Sequence, residues 1–323
     1  MTAAHRSATA RQRAKRLRAV VRIGAALGVV TAVGAGPAVA ANATVRGQNG
    51  RIVFRADTGS GDNLYTIHQD GTHRRQITFF SGASMDGPHW SPNADLIVVG
   101  VGLPDTCSNV VLMSPSGHHE VTLPLANGDI CEGTPSLSPD GARIYYEAFD
   151  GTNDAIWSMN LDGSDRRQAS ACQGTGATAP EVSPDGQMLA MTCFSDAGQA
   201  LFVAGVDGAN LRQLTPFDWD VGLKNDWSPD SSRIMFITQI DDAVNTDTIQ
   251  PDGNGLVHVT NYDANGPGAF GNTYSPDGRW ILMRLQSNGL YSLVKVHPDG
   301  SAQTQVTPYS TFRPRGMAWG SDG

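Results

Sequence analysis

The stretch Tyr274 to Met283 reads YSPDGRWILM, and its recurrence along the chain decides the fold. Near-copies stand at WSPNADLIVV (Trp90 to Val99), LSPDGARIYY (Leu137 to Tyr146), VSPDGQMLAM (Val182 to Met191) and WSPDSSRIMF (Trp227 to Phe236). The marking serines, Ser91, Ser138, Ser183, Ser228 and Ser275, are 47, 45, 45 and 47 residues apart. A fixed period of this size is the signature of a repeat architecture. Two weaker copies complete the set: RGQNGRIVFR (Arg46 to Arg55) at the front, and WGSDG (Trp319 to Gly323) at the end, 45 residues after Tyr274.

The motif reads as a hairpin turn. Proline presets its own φ, the aspartate side chain can bond the local backbone, and glycine takes the positive-φ position. The apolar run that follows, such as Arg-Ile-Tyr-Tyr or Trp-Ile-Leu-Met, suits a buried strand. On this reading the serine is a turn residue and not a nucleophile. Where the glycine is replaced, at Ala94 and Ser231, a slightly different turn is expected.

Every period carries a second mark. It reads HQDGTHRRQIT (His68 to Thr78), SPSGHHEVT (Ser114 to Thr122), NLDGSDRRQAS (Asn160 to Ser170), GVDGANLRQLT (Gly205 to Thr215), QPDGNGLVHVT (Gln250 to Thr260) and HPDGSAQTQVT (His297 to Thr307). Its glycines, Gly71, Gly117, Gly163, Gly208, Gly253 and Gly300, again step by 45 to 47, each after a short apolar strand. One period therefore holds four strands, and six periods make an all-β, six-bladed β-propeller with four antiparallel strands per blade. Parallel β-helices have shorter periods, and helical repeats would show a 3.6-residue apolar spacing that is absent. RIVFRAD (Arg51 to Asp57) begins at a second strand, while RGMAWGSDG (Arg315 to Gly323) supplies a lone first strand. Pairing the two would close the first blade with the C-terminus and remove the exposed edges.

The joint pattern of WSPDG-x-x-I-x-F with x-x-DG-x-x-x-x-LT resembles the WD40-like propeller repeat of the TolB family, over about residues 47 to 323. The resemblance implies the propeller strongly and a Tol–Pal role only weakly. TolB has an α/β domain before its propeller, whereas here the repeats begin straight after the N-terminal segment. The hydrolase domain of the prolyl-oligopeptidase-like enzymes that share this repeat has no counterpart before residue 323.

The first 40 residues are of another kind. They hold seven basic residues and no acidic one, then an apolar, small-residue run from Ile23 to Gly36, then Ala38-Val39-Ala40. That order is expected of a secretory signal peptide cleaved after Ala40, with residues 41–323 as the propeller; an uncleaved anchor is the alternative. The chain would then be exported, to the medium, periplasm or envelope, and would keep no membrane span. Cleavage would leave 16 basic against 31 acidic residues, a formal net of −15. So acidic a chain, with no basic patch in its sequence, is a poor partner for nucleic acid.

Four cysteines, Cys107, Cys131, Cys172 and Cys193, fit disulfides in an exported protein, and no C-x-x-C pair argues for a metal. Of the three possible pairings, position within the repeats favours Cys107–Cys131 and Cys172–Cys193.

In an up-and-down blade both repeated turns lie on one face. The connections between second and third strands, and between blades, lie on the other. Those connections vary, and a rigid scaffold places binding groups there. Three variable segments carry candidates: Asp218, Trp219, Asp220 and Asp226 in TPFDWDVGLKND; Asp241 and Asp242 in QIDDAVNTD; Phe312, Arg313 and Arg315 in STFRPRG. Aromatics between charges suit an interface, a sugar platform or a cation site. No G-x-S-x-G, H-E-x-x-H or phosphate-cradling loop appears, and apart from His89 the histidines after the N-terminal segment fall in the repeated Asp-Gly hairpins. The expectation is an exported, non-catalytic, monomeric scaffold without cofactor that binds a protein or envelope component. The alternative is a propeller enzyme, or a calcium-dependent carbohydrate-binding protein using channel carboxylates.

Overall fold

The serine-proline turns show why the motif folds as it does. The turn serine accepts the N–H of the residue five positions on, at 2.9 Å for Leu96, Arg143, Met188, Arg233 and Trp280. In four turns it also donates to an aspartate two residues on, at 2.5–2.6 Å from Asp140, Asp185, Asp230 and Asp277. In the first copy, Ser91 donates instead to Asn93 and Asp95, each at 3.0 Å. A buried hydroxyl so engaged staples a turn, at a net of about 0.5–1.5 kcal/mol per bond, and is not poised for attack. The expectation of a different turn at Ala94 and Ser231 fails. Both adopt φ near +60° (55° and 61°), as Gly141 (67°) and Gly278 (71°) do, and their N–H groups close the same bond to the serine carbonyl. The side-chain staple over-determines the turn, so these residues carry a left-handed strain of roughly 1–2 kcal/mol that glycine would avoid.

The computed structural model describes residues 47–57, 59–118, 120–125, 131–149, 154–172 and 176–322. The signal-like segment 1–40 lies outside them. Among the described residues no helix is long and apolar enough to cross a membrane. They form six sheets of four antiparallel strands, each a blade. Five blades run in chain order from the innermost strand outward, starting at Ser84–Trp90, Cys131–Leu137, Ala177–Val182, Asn225–Trp227 and Gly268–Tyr274. The first blade takes its innermost strand from the other end of the chain: Pro314–Asp322 pairs with Gln48–Asp57, setting Trp319 opposite Ile52 and Arg315 opposite Arg55. This is the closure the two incomplete repeats called for.

The core is divided into six apolar clusters, each drawn from two neighbouring blades. Val53 and Leu64 of blade 1 pack with Met85 and Ile97 of blade 2, and Ile52 of blade 1 packs with Leu282 and Leu293 of blade 6. Strands buried on both faces explain the continuous apolar runs. The Asp-Gly turns lock these seams. A Cβ on Gly117 (φ 79°) would stand 1.8 Å from the Ile77 carbonyl oxygen of the preceding blade, and one on Gly71 (φ 82°) 1.9 Å from that of Val306. Those glycines are needed for backbone shape and for blade-to-blade approach together.

Candidate functional site

Bulges in the innermost strands set the channel. Pairing shifts register between Asp86 and His89, Gly133 and Ser136, and Thr178 and Glu181. A residue of positive φ sits at each: Gly87 (48°), Thr134 (42°) and Ala179 (52°). A bulge re-aims the side chains beyond it. Two residues before each turn serine the sequence reads His89, Ser136, Glu181, Asp226 and Thr273, one per blade from the second to the sixth.

In blades 2, 4 and 5 that position builds a buried ionic cluster. His89 Nε2 lies 3.2 Å from Glu181 Oε2, across from the non-adjacent blade 4. Lys224 Nζ, from the loop entering blade 5, lies 2.6 Å from Glu181 Oε1. Asp226 accepts the backbone N–H of Tyr274 at 2.7 Å and of Trp227 at 2.9 Å. Burial pushes the Glu181 carboxyl up, but the charges of Lys224 and His89 outweigh it and hold the group at about 2. Asp226 is pushed up to about 6, chiefly by burial and further by Glu181, against the pull of Lys224. Burial presses His89 and Lys224 toward their neutral forms, and Glu181 more than restores their charge. The channel is thus bridged by paired charges.

The nine residues proposed from sequence do not converge on one site. Asp226 is a correction: it lies in an innermost strand, 5% exposed, and belongs to the channel cluster and not to a variable loop. Asp218 and Trp219 form a short 3-10 helix, Phe217–Trp219, which Asp220 ends at φ 44°. Trp219 leans on the core between blades 4 and 5. Asp241 and Asp242 (φ 49° and 63°) turn an exposed hairpin. Trp219 and Asp241 both line a groove of about 680 Å³, together with Ile240, Asn245, His258 and Tyr262. Phe312 is taken up by packing, edge-on to Tyr65 at 5.1 Å and beneath Arg74 at 4.3 Å. Arg315 is ion-paired to Asp62 at 2.7 Å, and Arg313 stands 5.4 Å over the Tyr291 ring.

Sequence reasoning missed Glu181 and Lys224. The aligned position two before the turn serine was the available signal for Glu181; nothing in the repeat marked Lys224. Among the described residues no group of three or more His, Cys, Asp or Glu is arranged to hold a metal ion. His118 is described, whereas its neighbour His119 lies outside the described residues.

The variable face carries both disulfides, as the repeat positions favoured. Cys107–Cys131 ties the second-to-third-strand loop of blade 2 to the start of blade 3, and Cys172–Cys193 ties the exit of blade 3 to the second strand of blade 4. Cys131 begins an innermost strand, opposite Phe149.

A closed ring of six four-stranded blades, a charge-bridged channel and one face of repeated turns define a six-bladed β-propeller. The chain belongs to the TolB beta propeller domain family, whose model matches residues 124–319. Its fold is similar to that of TolB from Acinetobacter baumannii, at 17% identity over 84% of this chain and 67% of that one, with a TM-score of 0.68. It is also similar to a chain of a nidogen/laminin complex (15%, 84% and 99%, TM-score 0.64) and to an oligogalacturonate lyase in complex with manganese (12%, 80% and 74%, TM-score 0.53). At such identities the likeness is one of fold alone. The fold accommodates binding and catalysis alike.

Proposed function

We propose that this chain is an exported, non-catalytic, monomeric propeller that holds a protein or envelope partner on its variable face, with residues 1–40 as a signal peptide and 41–323 as the propeller. The carrying observation is where the exposed apolar side chains lie. Of the eight large ones exposed among the described residues, Phe79, Leu103, Leu223 and Tyr309 stand on connections of the variable face, and Phe149, Ile240 and Leu290 at the strand ends that border it. Only Val121 stands elsewhere, in an outermost strand. Isolated exposed apolar residues are ordinary, but their confinement to one face of a ring is the mark of a contact surface. The two disulfides support an exported setting. The presence of a like-folded chain in a nidogen/laminin complex is in keeping with protein binding. The enzyme reading gains no such support, since Glu181 and Asp226 are committed to Lys224, His89 and backbone N–H groups.

The test is capture from envelope extract by the purified protein, beside Leu223→Lys/Ile240→Lys on the variable face and Asp252→Lys on the turn face. A partner held by the natural chain and the turn-face variant, and lost by the variable-face variant, is the expected outcome. Loss in the turn-face variant alone would sink the proposal.

A further inference from the structure

Arg284 is an anomaly in an acidic chain. It lies in the second strand of blade 6, Ile281–Ser287, and is 5% exposed. Among the described residues no carboxylate lies within ion-pairing distance of it. Its guanidinium is 4.0 Å over the Phe270 ring and 5.6 Å from that of Tyr291. Its one hydrogen bond is a long one, 3.3 Å from Nη1 to the Pro314 carbonyl, and its buried Nε has no acceptor. A buried charge is ordinarily paired, because an unpaired one is costly.

Three further arginines gather around it. Arg313, just before the strand Pro314–Asp322, shares the Tyr291 ring at 5.4 Å and is exposed. Arg315 and Arg55 are direct cross-strand partners in blade 1. Both bind the one buried carboxylate of Asp62, at 2.7 Å each, and Asp86 is 3.7 Å from Arg55. The Nε atoms of Arg55 and Arg315 are buried and without an acceptor as well. Four guanidinium groups therefore meet two carboxylates, one of them at the limit of contact. Burial, and then the charges of Arg313, Arg315 and Arg55, bring Arg284 down to about 10.

Arg55 and Arg315 stand near the variable-face ends of their strands, Arg313 lies just before Pro314–Asp322, and Arg284 lies midway along Ile281–Ser287, where blades 6 and 1 join. Arg313 and Arg315 carry the cluster to the surface, the latter with 29% of its side chain exposed. Aromatic rings lie against two of the guanidinium groups, and a guanidinium fork grips a planar or tetrahedral oxyanion through paired N–H bonds. We infer that Arg284, Arg313, Arg315 and Arg55 form a binding site for an oxyanion, a carboxylate or a phosphate, at the rim where blades 6 and 1 meet. The site stands independently of the partner reading, because a small anion should occupy it in the purified protein alone.

The experiment measures the thermal midpoint and calorimetric binding of the purified protein with inorganic phosphate and, separately, with glutarate, against chloride at matched ionic strength. One of the two should raise the midpoint and bind with a measurable heat, and the one that does so names the class. Arg284→Met should abolish that response, and the exposed Arg313→Gln should weaken binding about ten- to a hundredfold, the loss usual for a charged hydrogen bond. If Arg284→Met does not fold, Arg313→Gln decides. No effect of either anion beyond chloride, or an unchanged affinity in the variants, overturns the proposal.

Discussion

The two faces of the ring are built on opposite plans. On the turn face one device recurs: a serine closed between an aspartate and a backbone N–H, with the turn glycines Gly71, Gly117, Gly208 and Gly300 set hard against a carbonyl of the preceding blade. Its carboxylates are used locally. Asp70, Asp162, Asp252 and Asp299 accept backbone and hydroxyl or amide bonds two residues on, which hold their carboxyls below the ordinary aspartate range. The variable face shares no such device. It carries the two disulfides, nearly all the exposed apolar side chains and the arginine cluster. The lesson is that repetition marks what holds a propeller together, and departure from repetition marks what is left free to bind.

Substitutions can break that division, and the largest effect is expected between the faces. Glu181→Gln leaves His89 and Lys224 facing each other in the channel without their carboxylate. Loss of one partner of a buried ion pair costs about 3–5 kcal/mol, to be read by denaturant unfolding. A loss below about 1 kcal/mol would mean that the cluster is wetter and looser than its burial implies.

On the turn face, Gly117→Ala forces a methyl against the Ile77 carbonyl at a positive φ. Strain and overpacking together should cost about 2–4 kcal/mol, with the same unfolding measurement as the check. An alanine tolerated there would show that the seam between blades 1 and 2 can open without penalty.

A smaller effect comes from pH. Asp226, at about 6 against an ordinary 3.8, holds its proton more tightly when folded, so its contribution to stability falls as pH rises from about 4 to about 6. Glu181, at about 2, contributes stability that is complete above about 4.5 and is lost as pH falls toward 2. His89, raised above 6.5, contributes stability that is present below 6.5 and lost as its proton leaves. The thermal midpoint should therefore peak in mild acid, near pH 5, and decline toward pH 8 and below pH 4. A midpoint that rises steadily to pH 8 would contradict the cluster's charge assignment.

The smallest effect is expected on the variable face. Ile240→Lys, at the exposed end of the strand Ile234–Ile240, should change stability by no more than about 0.5 kcal/mol. A cost above about 1 kcal/mol would mean that this strand end supports the fold, and the contrast between the faces would weaken.

Period and turn chemistry are local, so the sequence by itself determined the number of blades, the four strands in each, the closure of the first blade by Pro314–Asp322 and the favoured disulfides. Each rests on residues near one another in the chain or on a repeat that states its own phase. The candidate site was only partly legible. Asp226 looked like a loop carboxylate because its neighbours Asp218 and Asp220 are, yet a strand begins at Asn225 and turns it into the channel. Arg284 bears no mark in the repeat, and only the joining of blades 6 and 1 brings Arg313, Arg315 and Arg55 around it. Burial, pairing across the ring and the meeting of chain ends are properties of the closed tertiary structure. They fix the charge of Glu181 and the lack of an acidic partner at Arg284, because both depend on distances between residues that the sequence holds far apart.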